Sequence, residues 1–418
     1  MVIKLSCCLE ISSIRSSLFS SLSFRNYRRI FLYSCLNSGA GWASTLAIEW
    51  LVLDLTGSAV ALGAMVGIQI TPVIFLSLIG GSFADKFSEK RVLLVTSSLL
   101  ILIYIAMFFT YKNGLLNFGL LGVLAFTLTT VWAVQGPVFT ALSIKVVPEE
   151  RVANAISLNS VTFNIGRIFG PIAAGFLIAI FDTGTPFIYL AVLYLFIIAI
   201  LLQVKMSELH QRSSAAASGN LREAFAFLNK NRRLYLPMAL TGVFIGLGMN
   251  FSFISSLMVR KVFEEDSRHL GFVGVLLAIG GIIGAGYAAR MSVSGHRPSF
   301  TTLTRSGIAL GFFWLATAFS PNFWTFAGIA LLVNLFHLMV MATANGMIAA
   351  HSPVDLQGRV YGIYLFIFHI GFGIGGPLIG LLAEVTSIRF MVGLGGAIVL
   401  LLSLAFVTLP KKVTLAIS

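Results

Sequence analysis

Charged residues are scarce in this chain. Only 10% of its 418 residues are Asp, Glu, Lys or Arg, whereas 57% are hydrophobic and the mean hydropathy is +0.95. A soluble domain has about 25% charged residues, because water must solvate its surface. The composition therefore excludes a soluble protein of this length and predicts an integral membrane protein.

Signatures of catalysis and of nucleotide binding are missing as well. The sequence has no Gly-Lys dipeptide, so it lacks a Walker A loop, and it contains neither H-E-x-x-H nor G-x-S-x-G. Its three cysteines, Cys7, Cys8 and Cys35, are too few for a disulfide framework, and the adjacent pair lacks metal-ligand spacing. We expect free thiols, no metal, no cofactor and no enzyme activity.

Hydrophobic segments of bilayer-spanning length occupy most of the chain. A helix of about 20 apolar residues crosses a hydrocarbon core of about 30 Å and satisfies its backbone polar groups internally. We predict an all-α integral membrane protein with twelve transmembrane helices in two pseudo-symmetric six-helix bundles. The predicted helices lie at residues 29–53, 59–83, 91–111, 115–146, 152–181, 185–205, 234–259, 270–290, 301–319, 322–350, 358–384 and 388–409.

One long connection divides the chain. It runs from Lys205 to Arg233 and contains the Ser, Ala and Gly-rich stretch 213–219, which is typical of a flexible linker. The first 28 residues are rich in Ser and interrupted by Arg, so they lack the continuous apolar core of a signal peptide. We predict an N-terminal tail, a six-helix bundle, a linker, a second six-helix bundle and a C-terminal tail at 1–28, 29–206, 207–233, 234–410 and 411–418.

A glycine-proline cluster occurs once in each half. Pro171 lies among Gly166, Gly170 and Gly175, and Pro377, 206 residues later, lies among Gly373, Gly376 and Gly380. Each copy follows an Arg-Val pair at the start of a long apolar segment. A period of half the chain indicates a duplicated architecture, and matching halves are typical of membrane transporters.

The distribution of Lys and Arg predicts the orientation in the membrane. Of the 28 Lys and Arg residues, Arg167 falls within a predicted helix and five lie on the side opposite the termini: Lys112, Arg260, Lys261, Arg268 and Arg389. The rest lie on the side of the termini, which the positive-inside rule assigns to the cytoplasm. The net charge of +13 therefore reflects membrane topology, and we expect no nucleic-acid partner.

The loop after the second predicted helix carries the first family resemblance. Residues 81–93 resemble the G-x-x-x-D-[RK]-x-G-[RK]-[RK] loop of the major facilitator superfamily, although Ser88 and Glu89 replace its usual glycine and base. The resemblance implies a cytoplasmic gating loop whose carboxylate faces the start of the eleventh helix, near Gly358. A plain glycine-rich cytoplasmic turn remains the alternative. The residues that match are Gly81, Ala84, Asp85, Lys86 and Arg91.

The cluster in the fifth predicted helix resembles the G-x-x-x-G-P-x-x-G-G signature of the superfamily's exporters. Gly166, Gly170, Pro171 and Gly175 match, and Ala174 replaces one glycine. Residues 22–27, 50–58 and 150–159 are similar to a bacterial branch with macrolide-efflux-like and enterobactin-exporter-like proteins. Small residues permit close helix approach and proline bends a helix, so the cluster is expected to form a hinge or a seal. Close packing without an export role is the alternative.

Ionisable residues inside a bilayer are costly, so they are candidates for function. Glu49 and Arg167 lie about 20 and about 15 residues into their predicted helices, past the midplane, so they could face each other. We hypothesise that Glu49 couples transport to protons and Arg167 tunes it; a static ion pair is the alternative. Trp132 replaces the arginine of the R-x-x-Q-G motif of many proton-coupled exporters. Further candidates for coupling or substrate contact are Asp54, Gln135, Asn37, Asn164 and His369.

The resemblance implies a secondary transporter that exports amphipathic or hydrophobic small molecules, such as drug-, macrolide- or siderophore-like compounds. We expect proton antiport by alternating access, in a monomer of the bacterial cytoplasmic membrane with both termini in the cytoplasm. The partners would be lipid, a small-molecule substrate and protons. The alternatives are a non-transporting sensor or scaffold with the same fold, and an uptake transporter. Polar groups around a central cavity would favour transport, whereas bulky apolar residues filling it would favour a scaffold.

Overall fold

The computed structural model describes residues 20–77, 88–206, 209, 226–229, 231–248, 251–293, 299–353 and 356–407. These residues are almost entirely helical, and a helix occupies each of the twelve predicted positions. The first six are α1 (Arg25–Thr56), α2 (Ala59–Ser77), α3 (Glu89–Lys112), α4 (Phe118–Lys145), α5 (Val152–Ile180) and α6 (Thr185–Leu202). The last six are α7 (Arg232–Gly248), α8 (Ser267–Val293), α9 (Phe300–Ala318), α10 (Phe323–His351), α11 (Gln357–Val385) and α12 (Ile388–Val407).

The seventh predicted helix, at 234–259, is described in two parts. The first is α7, and the second is a helical segment, Phe251–Leu257, that ends in a π-turn at Met258–Val262. We call this second part the 251–262 segment. Residues 249 and 250, between the two parts, lie outside the described residues. π-turns inside helices occur frequently at functional sites.

Nine of the described helices are long and apolar enough to cross a membrane. The three others are α1, α7 and α9. The described part of α7 has only 17 residues, whereas polar side chains such as Glu49 in α1 and Arg305 in α9 lower the hydropathy of those helices. Glu49 is buried, and a bundle tolerates such a residue where it faces other helices rather than lipid, whereas Arg305 is exposed in the second turn of α9.

Local signals fix several helix ends. Gly57 adopts φ 59° after α1 and its N–H donates to the carbonyl of Leu53, so this position requires the left-handed conformation that glycine supplies. The Asn117 and Asn322 side chains accept hydrogen bonds from N–H groups in the first turns of α4 and α10. These three turns lie on one side of the molecule. We call it the distal face, and we call the side where α1 begins and α12 ends the terminal face.

Helix pairing defines two bundles. In the first half α1 packs on α5 and α6, α2 packs on α4, and α3 packs on α4 and α6. In the second half α8 packs on α10, α9 packs on α10 and α12, and α7 packs on α11. Two extensive helix pairs join the halves, α2 with α11 and α5 with α8. The predicted pair of six-helix bundles is confirmed.

The halves meet toward the distal face. Gly63 of α2 lies so close to α11 that a Cβ atom there would be 2.5 Å from the carbonyl oxygen of Gly376. Similarly, a Cβ atom on Gly175 of α5 would be 2.6 Å from the carbonyl oxygen of Ser267, the first residue of α8. Toward the terminal face the second half has its own apolar cluster, which includes Leu234 and Val360 and is separate from the main core. The molecule is therefore tightly joined at the distal end.

Candidate functional site

A cavity of about 320 Å³ lies between helices of the first half. Three helices supply its walls: α1, α4 and α5. Aromatic side chains and short polar side chains alternate around it, a mixture typical of small-molecule sites. The lining residues are Asn37, Ser38, Gly41, Trp42, Thr45, Trp132, Gln135, Gly136, Phe139 and Phe163.

Hydrogen bonds hold the polar groups of this cavity. The hydroxyl of Tyr194 donates to the Asn37 Oδ1 atom at 2.9 Å and lies 3.3 Å from the Trp132 indole nitrogen, which donates to it. The Gln135 amide nitrogen lies 3.3 Å from the hydroxyl oxygen of Thr96, within donating distance. These contacts orient Asn37, Trp132 and Gln135 without filling the cavity. Trp132, which stands where many exporters have arginine, thus has a hydrogen-bonding role of its own.

Arg167 does not line the cavity itself, but it packs against Trp42, which does, on the side next to the second half. Its guanidinium carbon is 5.3 Å from the centre of the Trp42 ring, a cation–π contact, and Trp42 meets Phe163 edge-to-face at 5.6 Å. A Cβ atom on Gly281 of α8 would lie 3.1 Å from Arg167 Nη1 and 2.8 Å from Asn334 Nδ2. Arg167 therefore extends from α5 to the contact between α8 and α10.

Glu49 binds serines of the opposite half rather than Arg167. Its side chain is buried, and its Oε2 atom accepts hydrogen bonds from Ser256 at 2.7 Å and from Ser252 at 3.0 Å. Both serines belong to the 251–262 segment. The sequence-based suggestion that Glu49 and Arg167 face each other is therefore corrected. Equal depth along two helices does not fix the direction in which each side chain points.

An ion pair joins the halves at the distal face. Arg260 Nη2 lies 2.8 Å from Asp54 Oδ1, and the Thr183 hydroxyl donates to the other carboxylate oxygen at 3.1 Å. The guanidinium of Arg260 also lies 4.7 Å from the centre of the Trp50 ring. Asp54, predicted as a coupling or substrate residue, is thus part of an inter-half contact at the membrane surface.

A second distal contact uses a helix N-terminus. The backbone N–H of Ala59, the first residue of α2, donates to Glu384 Oε2 of α11 at 2.9 Å. A carboxylate at this position satisfies a free N–H group and interacts favourably with the helix dipole. Opposite it, the Ser267 hydroxyl donates to the Gly175 carbonyl at 3.0 Å. We call these contacts, together with the Asp54–Arg260 pair, the distal seal.

The two glycine-proline clusters lie at helix contacts. Gly166 and Gly170 pack on α1, where a Cβ atom would come within 2.4 Å of Ser38 and 2.5 Å of the Gly39 carbonyl oxygen, respectively. Pro171, in contrast, faces α8, because a Cβ atom on Gly274 would meet the Pro171 ring at 2.8 Å.

The second cluster meets a single neighbour, α2. A Cβ atom on Gly373 would come within 2.6 Å of Ile70, one on Gly376 within 2.7 Å of Val66, and one on Gly380 within 2.4 Å of the Ala59 carbonyl oxygen. Pro377 also faces α2, at Gly67. The pattern therefore serves close packing in both halves, and part of the first cluster and all of the second lie between the halves.

Most of the predicted gating loop lies outside the described residues. This holds for Gly81, Ala84, Asp85 and Lys86, whereas Arg91 is exposed on the first turn of α3. Glu89, which replaces a base of the family pattern, forms an ion pair with Lys145 at the end of α4. That ion pair accounts for an acid at this position.

Two predicted polar residues have no cavity contact in the described structure. Asn164 donates from Nδ2 to the Ser160 carbonyl oxygen of its own helix at 2.8 Å. His369 is half-buried on α11, 5.4 Å from the ring of its neighbour Phe368. Neither residue lines the cavity described above.

Sequence reasoning missed several partners in this region. Ser252 and Ser256 bind Glu49, Trp42 supports Arg167, and Glu384 caps α2. The 206-residue offset between the two glycine-proline clusters did point to these serines. Applied to Glu49, it leads to Ser255, which lies in the segment that Glu49 contacts. Serines and tryptophans are common in apolar helices, so composition alone could not distinguish Ser252, Ser256 and Trp42 from the other serines and tryptophans of the chain.

An acidic residue outside the helices is also held by several partners. Asp182, between α5 and α6, pairs with Lys112 and accepts hydrogen bonds from the N–H groups of Gly184 at 2.8 Å and Thr185 at 2.9 Å. Partial burial raises the pKa of Asp182, but the hydrogen bonds outweigh it and hold the pKa below its ordinary value. The Asp182 carboxylate thus secures the start of α6.

Two helical bundles joined at one end, with a polar and aromatic cavity between membrane helices, are typical of a membrane transporter. The chain belongs to the transmembrane secretion effector family of the major facilitator superfamily, and the family model matches residues 16–416. This match confirms the resemblance drawn from the sequence. The chain is a transporter, not an enzyme.

Characterised relatives include exporters. The chain is 25% identical over 401 residues to the multidrug efflux pump Tap of Mycolicibacterium fortuitum, which covers 91% of this chain and 95% of the pump. It is also 25% identical over 246 residues to the staphyloferrin A transporter of Staphylococcus aureus (strain NCTC 8325 / PS 47), covering 58% of this chain and 61% of that transporter.

Solved structures share the fold at low sequence identity. A bacterial homologue of the human lysosomal transporter Spinster superposes with a TM-score of 0.71 and 14% identity, over 93% of this chain and 97% of that one. The nucleoside transporter NupG gives a TM-score of 0.72 and 14% identity, over 92% and 98%. These similarities confirm the major facilitator fold.

Proposed function

We propose that this protein exports amphipathic or hydrophobic small molecules across the bacterial cytoplasmic membrane by alternating access. The observation that carries the proposal is a cavity with aromatic and amide walls in a molecule that is closed at its distal face. Alternating access requires such a closed end, which must open when the halves rock against each other. In this proposal the bundles at 29–206 and 234–410 move as units, joined by the linker at 207–233.

The cavity favours transport over a scaffold role. Asn37 and Gln135 are among the lining residues, and Trp132 and Phe163 line the same space without filling it. A fold kept only as a scaffold would gain stability from filling such a cavity with apolar side chains.

The proposed orientation has the terminal face in the cytoplasm. Support comes from the concentration of Lys and Arg on that side, which the positive-inside rule associates with the cytoplasm. The distal seal would then close the outer end, and substrate would enter from the cytoplasm or the inner leaflet. The names of the efflux-pump relatives support export as the direction. We propose a monomer as the working unit.

Glu49 is the proposed coupling residue. Its carboxylate is buried against Ser252 and Ser256 of the opposite half, and a buried charge without a cationic partner is costly. A proton on Glu49 removes that cost, so protonation would favour the closed distal face. Opening would separate the serines from Glu49 and expose it to the outside, as antiport requires. Arg167 would tune this equilibrium through its charge.

Transport assays test the proposal. Purified protein in proteoliposomes should move compounds from a panel of drug-like amphiphiles when a proton gradient is imposed, and the movement should stop when the gradient is collapsed. Gradient-dependent transport of no compound at all would instead favour a sensor or scaffold.

The Glu49→Gln variant tests the coupling step. It should abolish the dependence on the proton gradient while substrate still binds, because the amide cannot release a proton. The exposed Glu150→Gln substitution is the control, since it removes one carboxylate far from the seal. Coupling through Glu49 is wrong if Glu49→Gln protein, expressed normally, keeps pH-dependent transport.

A further inference from the structure

Arg167 has a charge for which the described residues provide no counter-ion. No carboxylate among them lies within 4 Å of its guanidinium. Glu49 binds serines, and Asp54 pairs with Arg260. A cation inside a membrane protein is costly unless an anion or a cavity stabilises it. The neighbours of Arg167 include instead the Trp42 ring, Gly281, the amide nitrogen of Asn334 and the imidazole of His337.

The position of Arg167 associates this charge with the cavity. Phe163, one helical turn earlier on α5, lines the cavity, and so does Trp42, over whose ring the guanidinium lies. Amide groups of Asn37 and Gln135 line the same space. A ligand there would meet aromatic faces and amides, with the Arg167 guanidinium beside the lining residue Trp42, 5.3 Å from the centre of its ring.

We propose that the cavity binds aromatic or amphipathic molecules that carry a carboxylate, and that Arg167 receives this carboxylate. A guanidinium forms two parallel hydrogen bonds with a carboxylate, an arrangement that other cations do not match. The apolar body of the ligand would lie against Trp42, Phe163 and Trp132. This inference rests on the proposed transport function and deepens it by naming the substrate class.

The positive charge of Arg167 would repel a cationic ligand in the cavity. Glu49, the alternative attraction for a cation, is only 5% exposed and already accepts two hydrogen bonds from the other half. The volume of about 320 Å³ limits the ligand to the lower end of drug size, about two aromatic rings.

Binding measurements on the full chain in lipid nanodiscs test the proposal. Three probes share one skeleton and differ in charge: 4-biphenylcarboxylate, 4-biphenylcarboxamide and 4-biphenylmethylammonium. Calorimetry should show that the carboxylate binds roughly tenfold or more tightly than the carboxamide, because a charged hydrogen-bond pair replaces a neutral one. The ammonium should bind most weakly. Equal affinities for the three, or no binding of the carboxylate, would overturn the proposal.

Variants of Arg167 separate ligand recognition from a structural role. Arg167→Gln should lower carboxylate affinity to that of the carboxamide and leave carboxamide affinity unchanged, and Arg167→Lys should fall between. The exposed Arg268→Gln is the matched control, because it removes the same charge outside the cavity. An equal loss for all three probes in both Arg167 variants would indicate that Arg167 only supports the fold, and would refute the proposal.

A transport assay with the same probes separates this inference from the proposed function. Gradient-driven transport of the ammonium and carboxamide probes without preference for the carboxylate would refute the anion site alone. Charge-selective binding without transport of any compound would refute the proposed export function and leave the anion site standing.

Discussion

Gly63→Ala should weaken closure of the distal face. The added methyl would lie 2.5 Å from the Gly376 carbonyl oxygen, 3.0 Å from the Gly376 carbonyl carbon and 3.1 Å from the Pro377 Cα atom. All three are backbone atoms, so no side-chain rotation can relieve the clash. Helices α2 and α11 must separate, and they belong to opposite halves.

The size of the effect follows from the cost of overpacking. An extra methyl in a close-packed contact costs about 1–3 kcal/mol. In the proposed transport cycle the contact exists only while the distal face is closed, so this cost would act on the balance between closed and open states. A shift of that size corresponds to about 5- to 150-fold against the closed state. Gly362→Ala on the same helix α11 is the control, because nothing lies within 4 Å of its Cβ position.

Distance measurements between spin labels across the distal face provide the assay. Leu115 and Phe319 are exposed on distal turns of the first and second halves, so cysteines introduced there can carry labels after the native cysteines are replaced by serine. The long-distance population should increase in Gly63→Ala and stay unchanged in Gly362→Ala. If Gly63→Ala protein folds and gives the wild-type distance distribution, the α2–α11 contact does not control closure.

Three further predictions concern ion pairs. Charge-neutral variants of Asp54 or Arg260 should shift the same distance distribution toward the open state by roughly 2- to 5-fold, because partly exposed pairs contribute up to about 1 kcal/mol. The double variant should be no more open than the worse single variant. Additive effects of the two substitutions would show that the two residues do not interact. Because the pKa of Asp182 is lowered, its contribution to stability is present above its ordinary pKa of about 3.9 and is lost as the pH falls. The difference in Tm between wild type and Asp182→Asn should therefore narrow from pH 6 to pH 3. A Tm difference that stays constant over this range would contradict the prediction. Glu89→Gln should lower Tm by a few degrees, since it leaves the Lys145 ammonium without its buried partner, whereas removing both charges should restore part of the loss.

The sequence allowed the fold to be predicted almost completely. Hydropathy located all twelve helices because a bilayer permits few alternatives to a spanning helix. The glycine-proline repeat correctly indicated two matching halves and close helix contacts. The π-turn at Met258–Val262 could not be predicted, since hydropathy does not distinguish one helical hydrogen-bond pattern from another.

The candidate site was predictable only in part. Gln135 and Asn37 line the cavity, and their roles in coupling or substrate contact stay predictions. The partners of Glu49 were not predictable, because depth along a helix says nothing about rotation around its axis or about which neighbour lies opposite. Asp54 looked like a residue for coupling or substrate contact, and only the position of Arg260 reveals its inter-half contact.

Asp54 and Arg260 are 206 residues apart, the same offset that relates Pro171 to Pro377. They therefore occupy equivalent positions of the duplicated halves and meet near the axis that relates them. Two identical halves would bring identical side chains together there, and two carboxylates or two guanidinium groups would repel each other. An attractive bond at this point requires the copies to differ, so the ion pair can form only between halves whose sequences have diverged.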